Sequence, residues 1–227
     1  MLNHDLEIMR QLVESRRIYS AIYESSSQEI PGSLLVTSAA PAEGKTTLAA
    51  GLGILASENS PSQRNLLIDL NWYNPSLHKC FNFNSNYTLD DLVSKDNLSD
   101  LICDTEYDNL KILPAPRSNG STHSSNREIL AAGKELIEKA DQEFDHVILD
   151  SAAMFPMNRY MMDPVTVGAQ VDSTLLVVMA NSTRRSTVKR AKMTLQSAKI
   201  NLCGLVMNHQ LNPLQQHLNH SSQLNPN

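Results

Sequence analysis

The residues best equipped for chemistry cluster at Ala39-Ala40-Pro41-Ala42-Glu43-Gly44-Lys45-Thr46-Thr47. An apolar run, Leu34-Leu35-Val36, precedes them, and a helix-forming stretch, Leu48-Ala49-Ala50-Gly51-Leu52, follows. Gly-Lys-Thr between a strand and a helix is the setting of a phosphate-binding loop. Such a loop turns backbone N–H groups onto a polyphosphate, and the positive end of the next helix adds attraction. The expected cradle runs from Ala40 through Pro41, Ala42, Glu43 and Gly44 to Lys45, Thr46 and Thr47. Lys45 would reach the β- and γ-phosphates, and the Thr46 hydroxyl would ligate Mg²⁺. Ala39 stands where the usual pattern has its first glycine. The expectation is a bound nucleoside triphosphate.

Two more apolar runs end in aspartate, Leu67-Ile68-Asp69 and Ile148-Leu149-Asp150. In a parallel α/β sheet the ligand sits at the carboxyl ends of the strands, so both carboxylates can converge on the same phosphates. Asp150 is the candidate for the Mg²⁺ shell. Asp69 is then free to orient or deprotonate a nucleophile, either water or a hydroxyl. Either aspartate alone would fit a helix cap or a turn. Together with Gly44-Lys45-Thr46 they read as one site.

The elements that must position these groups follow from periodicity. Residues 2–25 read as a helix with Leu6, Met9, Leu12, Val13, Ile18 and Ile22 on one stripe, ended by Pro31-Gly32. Further strands are expected at Leu110-Lys111-Ile112-Leu113, from Thr174 to Met179 and from Leu202 to Met207, and the strand that ends in Asp150 begins at Val147. A Pro- and Ser-rich loop runs through Ser125, and helices are expected at 127–140 and 186–199. Apolar strands alternating with helices predict an α/β fold, a three-layer P-loop NTPase with a mostly parallel sheet flanked by helices. The expected division is an N-terminal helix at 1–29, a nucleotide-binding domain at 30–210 and a polar, disordered tail at 211–227.

Composition narrows the class. The 227 residues are 41% hydrophobic and 19% charged, with a net charge of −5, which gives no general reason to expect nucleic acid or anionic lipid. Cys80, Cys103 and Cys203 lack metal or disulfide spacing and read as free thiols. No apolar run approaches a membrane span, and Asp5, Glu7 and Glu14 interrupt any signal peptide, so a cytoplasmic location is expected. His209, His217 and His220 have no cysteine or carboxylate nearby to complete a metal site. Arg184, Arg185, Lys189, Arg190, Lys192 and Lys199 form a basic run without an acid; a solvated helix face is the favoured reading, and DNA or acidic lipid the alternative. Trp72 and Tyr73 fit either a ligand surface or edge packing.

Beyond these single features, the segment Val36 to Thr47 resembles the Walker A motif of the bacterial tyrosine kinases of capsule and exopolysaccharide synthesis, a family that also tends to carry alanine at the position of Ala39. Leu66 to Phe81, with Asp69, Pro75, Leu77 and His78, resembles that family's second phosphate motif. Leu113-Pro114-Ala115, Asn126 to Leu130, Phe144 to Asp150, Asp163-Pro164, Leu175 to Val178, Thr183 and Gly204 to Asn208 continue the match in order over about residues 30–210. The resemblance implies ATP and Mg²⁺ as cofactors. Asp69 would activate a tyrosine hydroxyl, Asp150, Thr46 and Asp69 would surround the metal, and Asn208 would lie near the adenine. It also implies a homo-oligomer assembled through Glu14 and Arg17, and a membrane adaptor or polysaccharide co-polymerase that recruits the protein to the inner face of the membrane.

The chain departs from that family at several places, the first being Ser20, which stands where the self-assembly motif of Glu14 and Arg17 has its second arginine. Asn71 replaces a second aspartate, Tyr73 an arginine, and Ser151-Ala152-Ala153 a Thr-Pro-Pro; no tyrosine follows Tyr160, so the tail cannot be the phosphorylated segment. Two alternatives remain open on sequence grounds. One is a ParA/MinD-like ATPase switch, although the signature lysine of that group is replaced by Ala40. The other is an ATP-binding scaffold without turnover.

Overall fold

The computed structural model describes residues 13–24, 32–72, 74–81, 83–94, 97–117, 125–155 and 162–209. Leu6, Met9, Leu12, Tyr73, Tyr160, His217, His220 and the tail lie outside these residues.

Apolar β-strands form a seven-stranded sheet among the described residues because their side chains alternate between two faces that are covered except at the sheet edges. The strands are β1 (Ser33–Ser38), β2 (Asn65–Asp69), β3 (Cys103–Asp104), β4 (Leu110–Leu113), β5 (His146–Ala153), β6 (Ser173–Met179) and β7 (Leu202–Asn208). Their order in the sheet is β3-β4-β2-β5-β1-β6-β7, and every pairing is parallel except β3 with β4. Leu34, Val36, Leu67, Ile112, Ile148 and Val177 face helix α2 (Lys45–Asn59) and the helical segment α1 at 13–24. On the opposite face, Leu35, Leu66, Ile68, Leu113, Val147 and Leu149 meet α5 (Asn126–Glu143). Toward one end of the sheet Leu176 and Val178 meet α7 (Arg185–Ser197). The result is a three-layer α/β architecture of the P-loop NTPase type.

Short helices α3 (His78–Phe81), α4 (Leu89–Ser94) and α6 (Pro164–Gly168) complete the connections. The strand and helix expectations match closely, with instructive differences. β5 continues three residues past Asp150, because Ser151-Ala152-Ala153 has no proline to interrupt the ladder and Ser151 donates its hydroxyl to Val36 O. β3 has only two residues, too short to leave a periodic signal. In α1 the buried stripe is Ser15, Tyr19 and Tyr23, with Ile18 and Ile22 beside it; Val13, expected on the apolar stripe, is 55% exposed. The stripe is rotated because the two tyrosine rings, stacked 4.8 Å apart, supply most of the apolar area. Trp72 packs beside α5, its ring near Gly133, and donates Nε1 to Asp69 O at 3.1 Å, which settles its role as packing.

Ile148 lies in the central strand β5 and is 1% exposed. Ile148→Ala is expected to destabilise the fold by about 2–5 kcal/mol through the cavity it leaves, read from urea denaturation.

Candidate nucleotide-binding site

The loop between β1 and α2 takes its form from backbone conformation. Ala42 and Gly44 both have positive φ, at 60° and 90°. Such left-handed residues turn neighbouring N–H groups into a concave nest, the geometry that receives phosphate oxygens. Gly44 is required twice over, by its φ and because the Asn208 side chain occupies the space a Cβ would need. Ala39, by contrast, does not have positive φ and is fully buried, with its N–H donated to Val177 O. Nothing at that position calls for glycine, which explains why alanine serves.

Glu43 has a part that no spacing rule reveals. Its carboxylate is 2% exposed and turns back under the loop. One oxygen accepts from the Ala40 N–H at 2.8 Å; the other accepts from the Thr183 hydroxyl and from the Met179 N–H at 3.3 Å. The loop is thereby tied to the carboxyl end of β6. Asn208, at the end of β7, donates Nδ2 to Glu43 O at 3.1 Å, adding a second tie from the sheet edge. Signals for Glu43 as a clamp were absent from the sequence, since its partners on β6 and beyond, Met179 and Thr183, lie 136 and 140 residues away.

The acidic groups converge as expected. Asp69 and Asp150 are register partners on adjacent strands β2 and β5, and both are essentially buried. Thr46 donates its hydroxyl to Asp150 Oδ2 at 2.6 Å and lies 2.9 Å from Ser76 Oγ. Asp150 Oδ1 is buried with no hydrogen-bond partner among the described residues. An unpaired carboxylate oxygen beside two hydroxyls is a hard oxygen donor set, and it fits Mg²⁺. Asp69 is committed differently, because it accepts from the Asn71 N–H at 3.0 Å and the Leu77 N–H at 3.3 Å. It thus organises the β2–α3 loop that carries Ser76. Asn71 itself donates Nδ2 to Asn74 O and holds the same turn.

Electrostatics follow from burial. The Asp150 carboxyl is pushed up to about 7, first by desolvation and then by the Asp69 charge, while the Thr46 hydroxyl and Lys45 hold it down. Burial also raises the Asp69 carboxyl, against the pull of backbone N–H groups at Asn71, Leu77 and Ser76. Burial lowers the Lys45 ammonium, opposed by the charges of Asp150, Glu43 and Asp69. One cation among three carboxylates is a charge-poor arrangement that added Mg²⁺ would relieve.

No family model matches the chain. Among curated proteins it is 29% identical over 196 residues to the putative tyrosine-protein kinase CapB of Staphylococcus aureus, spanning 85% of this chain and 82% of that protein. It is 27% identical over 179 residues to the tyrosine-protein kinase YwqD of Bacillus subtilis, spanning 78% and 71%. Among solved structures, the VpsO kinase domain superposes with a TM-score of 0.78 at 22% identity, covering 93% of this chain and all of that one. The septum site-determining protein MinD of Pyrococcus horikoshii, complexed with Mg-ADP, gives 0.61 at 21% identity, covering 78% and 69%.

Two outcomes test the geometry. Glu43→Ala takes the acceptor from the part-buried donors at Ala40 and Thr183 and frees the loop from β6, and should weaken binding of a fluorescent ATP analogue by about tenfold or more. Glu43→Gln, which keeps one acceptor oxygen, should recover part of that loss. The second outcome concerns pH. The folded carboxyl of Asp150 holds its proton more tightly than the unfolded one, so its contribution to stability is lost as pH rises toward and through about 7. Asp150→Asn in nucleotide-free protein should therefore raise Tm at pH 8, with a smaller gain at pH 5. Equal gains at both values would contradict a buried ionising group.

Proposed function

We propose that this chain, which belongs with the bacterial tyrosine kinases inside the ParA/MinD-like P-loop superfamily, binds ATP with Mg²⁺ at the β1–α2 loop and transfers or hydrolyses the γ-phosphate. Its work lies in capsule or exopolysaccharide biosynthesis or the regulation of that process. The observation that carries the reading is the convergence of Lys45, Thr46, Asp69 and Asp150 at the carboxyl ends of β1, β2 and β5.

Each residue has a defined task. The loop backbone from Ala40 to Thr47 enfolds the phosphates, held in its binding shape by Glu43 and Asn208. Lys45 neutralises charge on the β- and γ-phosphates. Thr46 and Asp150 would hold Mg²⁺, with Asp69 close by; the metal's contribution is to offset negative charge on the phosphate oxygens. Asp69, already raised by burial, is suited to accept a proton from a tyrosine hydroxyl or to orient a water. Asn208 borders the base. Among the described residues no helix is long and apolar enough to cross a membrane. A cytoplasmic protein recruited by a membrane adaptor or polysaccharide co-polymerase fits that feature. Glu14 and Arg17, both exposed on α1, are suited to self-association into a homo-oligomer.

A second reading draws on one observation. Asp69 spends both oxygens on backbone N–H groups, which fits an ATPase switch or an ATP-binding scaffold as well as a kinase base.

Incubation with labelled ATP and Mg²⁺ separates these. Phosphotyrosine marks the kinase, free phosphate alone marks the switch, and binding without either marks the scaffold. Lys45→Met should abolish ATP binding measured by calorimetry with the melting transition retained, and unchanged affinity would refute the phosphate loop. Asp69→Asn should lower turnover far more than affinity.

A further inference from the structure

The basic run at 184–199 acquires a definite place in the fold. Ala191 and Leu195 of α7 are buried against the sheet together with Leu176 and Val178 of β6. At 100° per residue, Arg190 projects to one flank of the helix, and Arg185, Lys189 and Lys192 project to the other. A contact fixes which flank is which. The Arg190 guanidinium lies 4.1 Å from the ring centre of Phe155, which follows β5 and so marks the side toward the middle of the sheet. Arg185, Lys189 and Lys192 therefore overhang the opposite side, where β7 is the edge strand.

On that side β7 presents apolar residues. Leu205 and Met207 are in register with Leu176 and Val178, so they share the face on which α7 lies. They are 44% and 59% exposed, and Met193 on the crest of α7 is 55% exposed. All six cations, Arg184 and Lys199 included, are exposed, and none of the ion pairs among the described residues involves them. In a chain of net charge −5, Arg185, Lys189 and Lys192 thus set exposed positive charge beside exposed apolar side chains on one edge.

We propose that this edge docks onto an anionic lipid bilayer. Phosphate headgroups match the cations, and the headgroup–acyl boundary accepts Met193, Leu205 and Met207. Duplex DNA would match only the charge, since its phosphate backbone offers apolar side chains no partner. A second copy meeting the same face about a two-fold axis would oppose like charges. The domain then has a direct hold on the membrane surface beside whatever an adaptor contributes, and that hold is separate from turnover at the phosphate loop.

The test is co-sedimentation of the full chain with vesicles of phosphatidylcholine alone or containing phosphatidylglycerol. Binding should occur only to the anionic vesicles and should weaken as salt rises from about 0.05 M to about 0.5 M. Lys189→Glu with Lys192→Glu should reduce it by about tenfold or more. Leu205→Ser with Met207→Ser should reduce it several-fold, with ATP-analogue affinity unchanged in both variants. Lys134→Glu, an exposed cation on α5, should leave vesicle binding as it was. Absence of binding to anionic vesicles would overturn the proposal, as would an equal loss in Lys134→Glu. Duplex DNA bound more tightly than the vesicles, with no effect of the two serine substitutions, would replace it by a nucleic-acid surface.

Discussion

Asp69 and Asp150 sit side by side on neighbouring central strands, buried, with Lys45 as the cation set against them. Two adjacent carboxylates in a water-poor interior repel each other and lose hydration, so each must find compensation nearby. Asp69 finds it in the backbone N–H groups of the loop that follows β2. Asp150 finds it in the Thr46 hydroxyl and in the charge of Lys45. The turn into α2 and the turn after β2 are both shaped by these demands. A site that remains short of positive charge in its resting form is one that gains from a divalent cation.

The phosphate loop is itself supported from far away in the chain. Glu43 couples it to the end of β6, and Asn208 couples it to the end of β7. Strand β7 consequently serves two surfaces. Its carboxyl end closes on Gly44, while Leu205 and Met207 face outward beside α7. The two surfaces use different side chains of one strand, with Asn208 turned to the loop and Leu205 and Met207 turned to the α7 face.

Much of the fold was legible because its strands are short apolar runs and because α5 and α7 keep a 3.6-residue period. β1, β2, β4, β6, β7, α5 and α7 fall where that patterning puts them, within a few residues. The two-residue β3 escaped because it is too short for any period. The end of β5 and the buried stripe of α1 depend on neighbours that local pattern does not report. At the site, Lys45, Thr46, Asp69 and Asp150 were recognisable because phosphate chemistry fixes both residue type and local spacing. Ser76 and Thr183 were not assigned to that chemistry, because their roles arise from contacts 30 and 140 residues distant.

The loop from Ala39 to Thr47, the two strand-end aspartates and the alternating α/β order can be read from the order of residues alone, since each is written in adjacent positions. How Glu43 is spent, which oxygen of Asp150 has no partner among the described residues, and which flank of α7 overhangs the sheet edge emerge only once the chain is folded. All three share one cause. Hydrogen-bond satisfaction and exposure belong to side chains brought together by the sheet, and no local stretch of chain encodes who those neighbours will be.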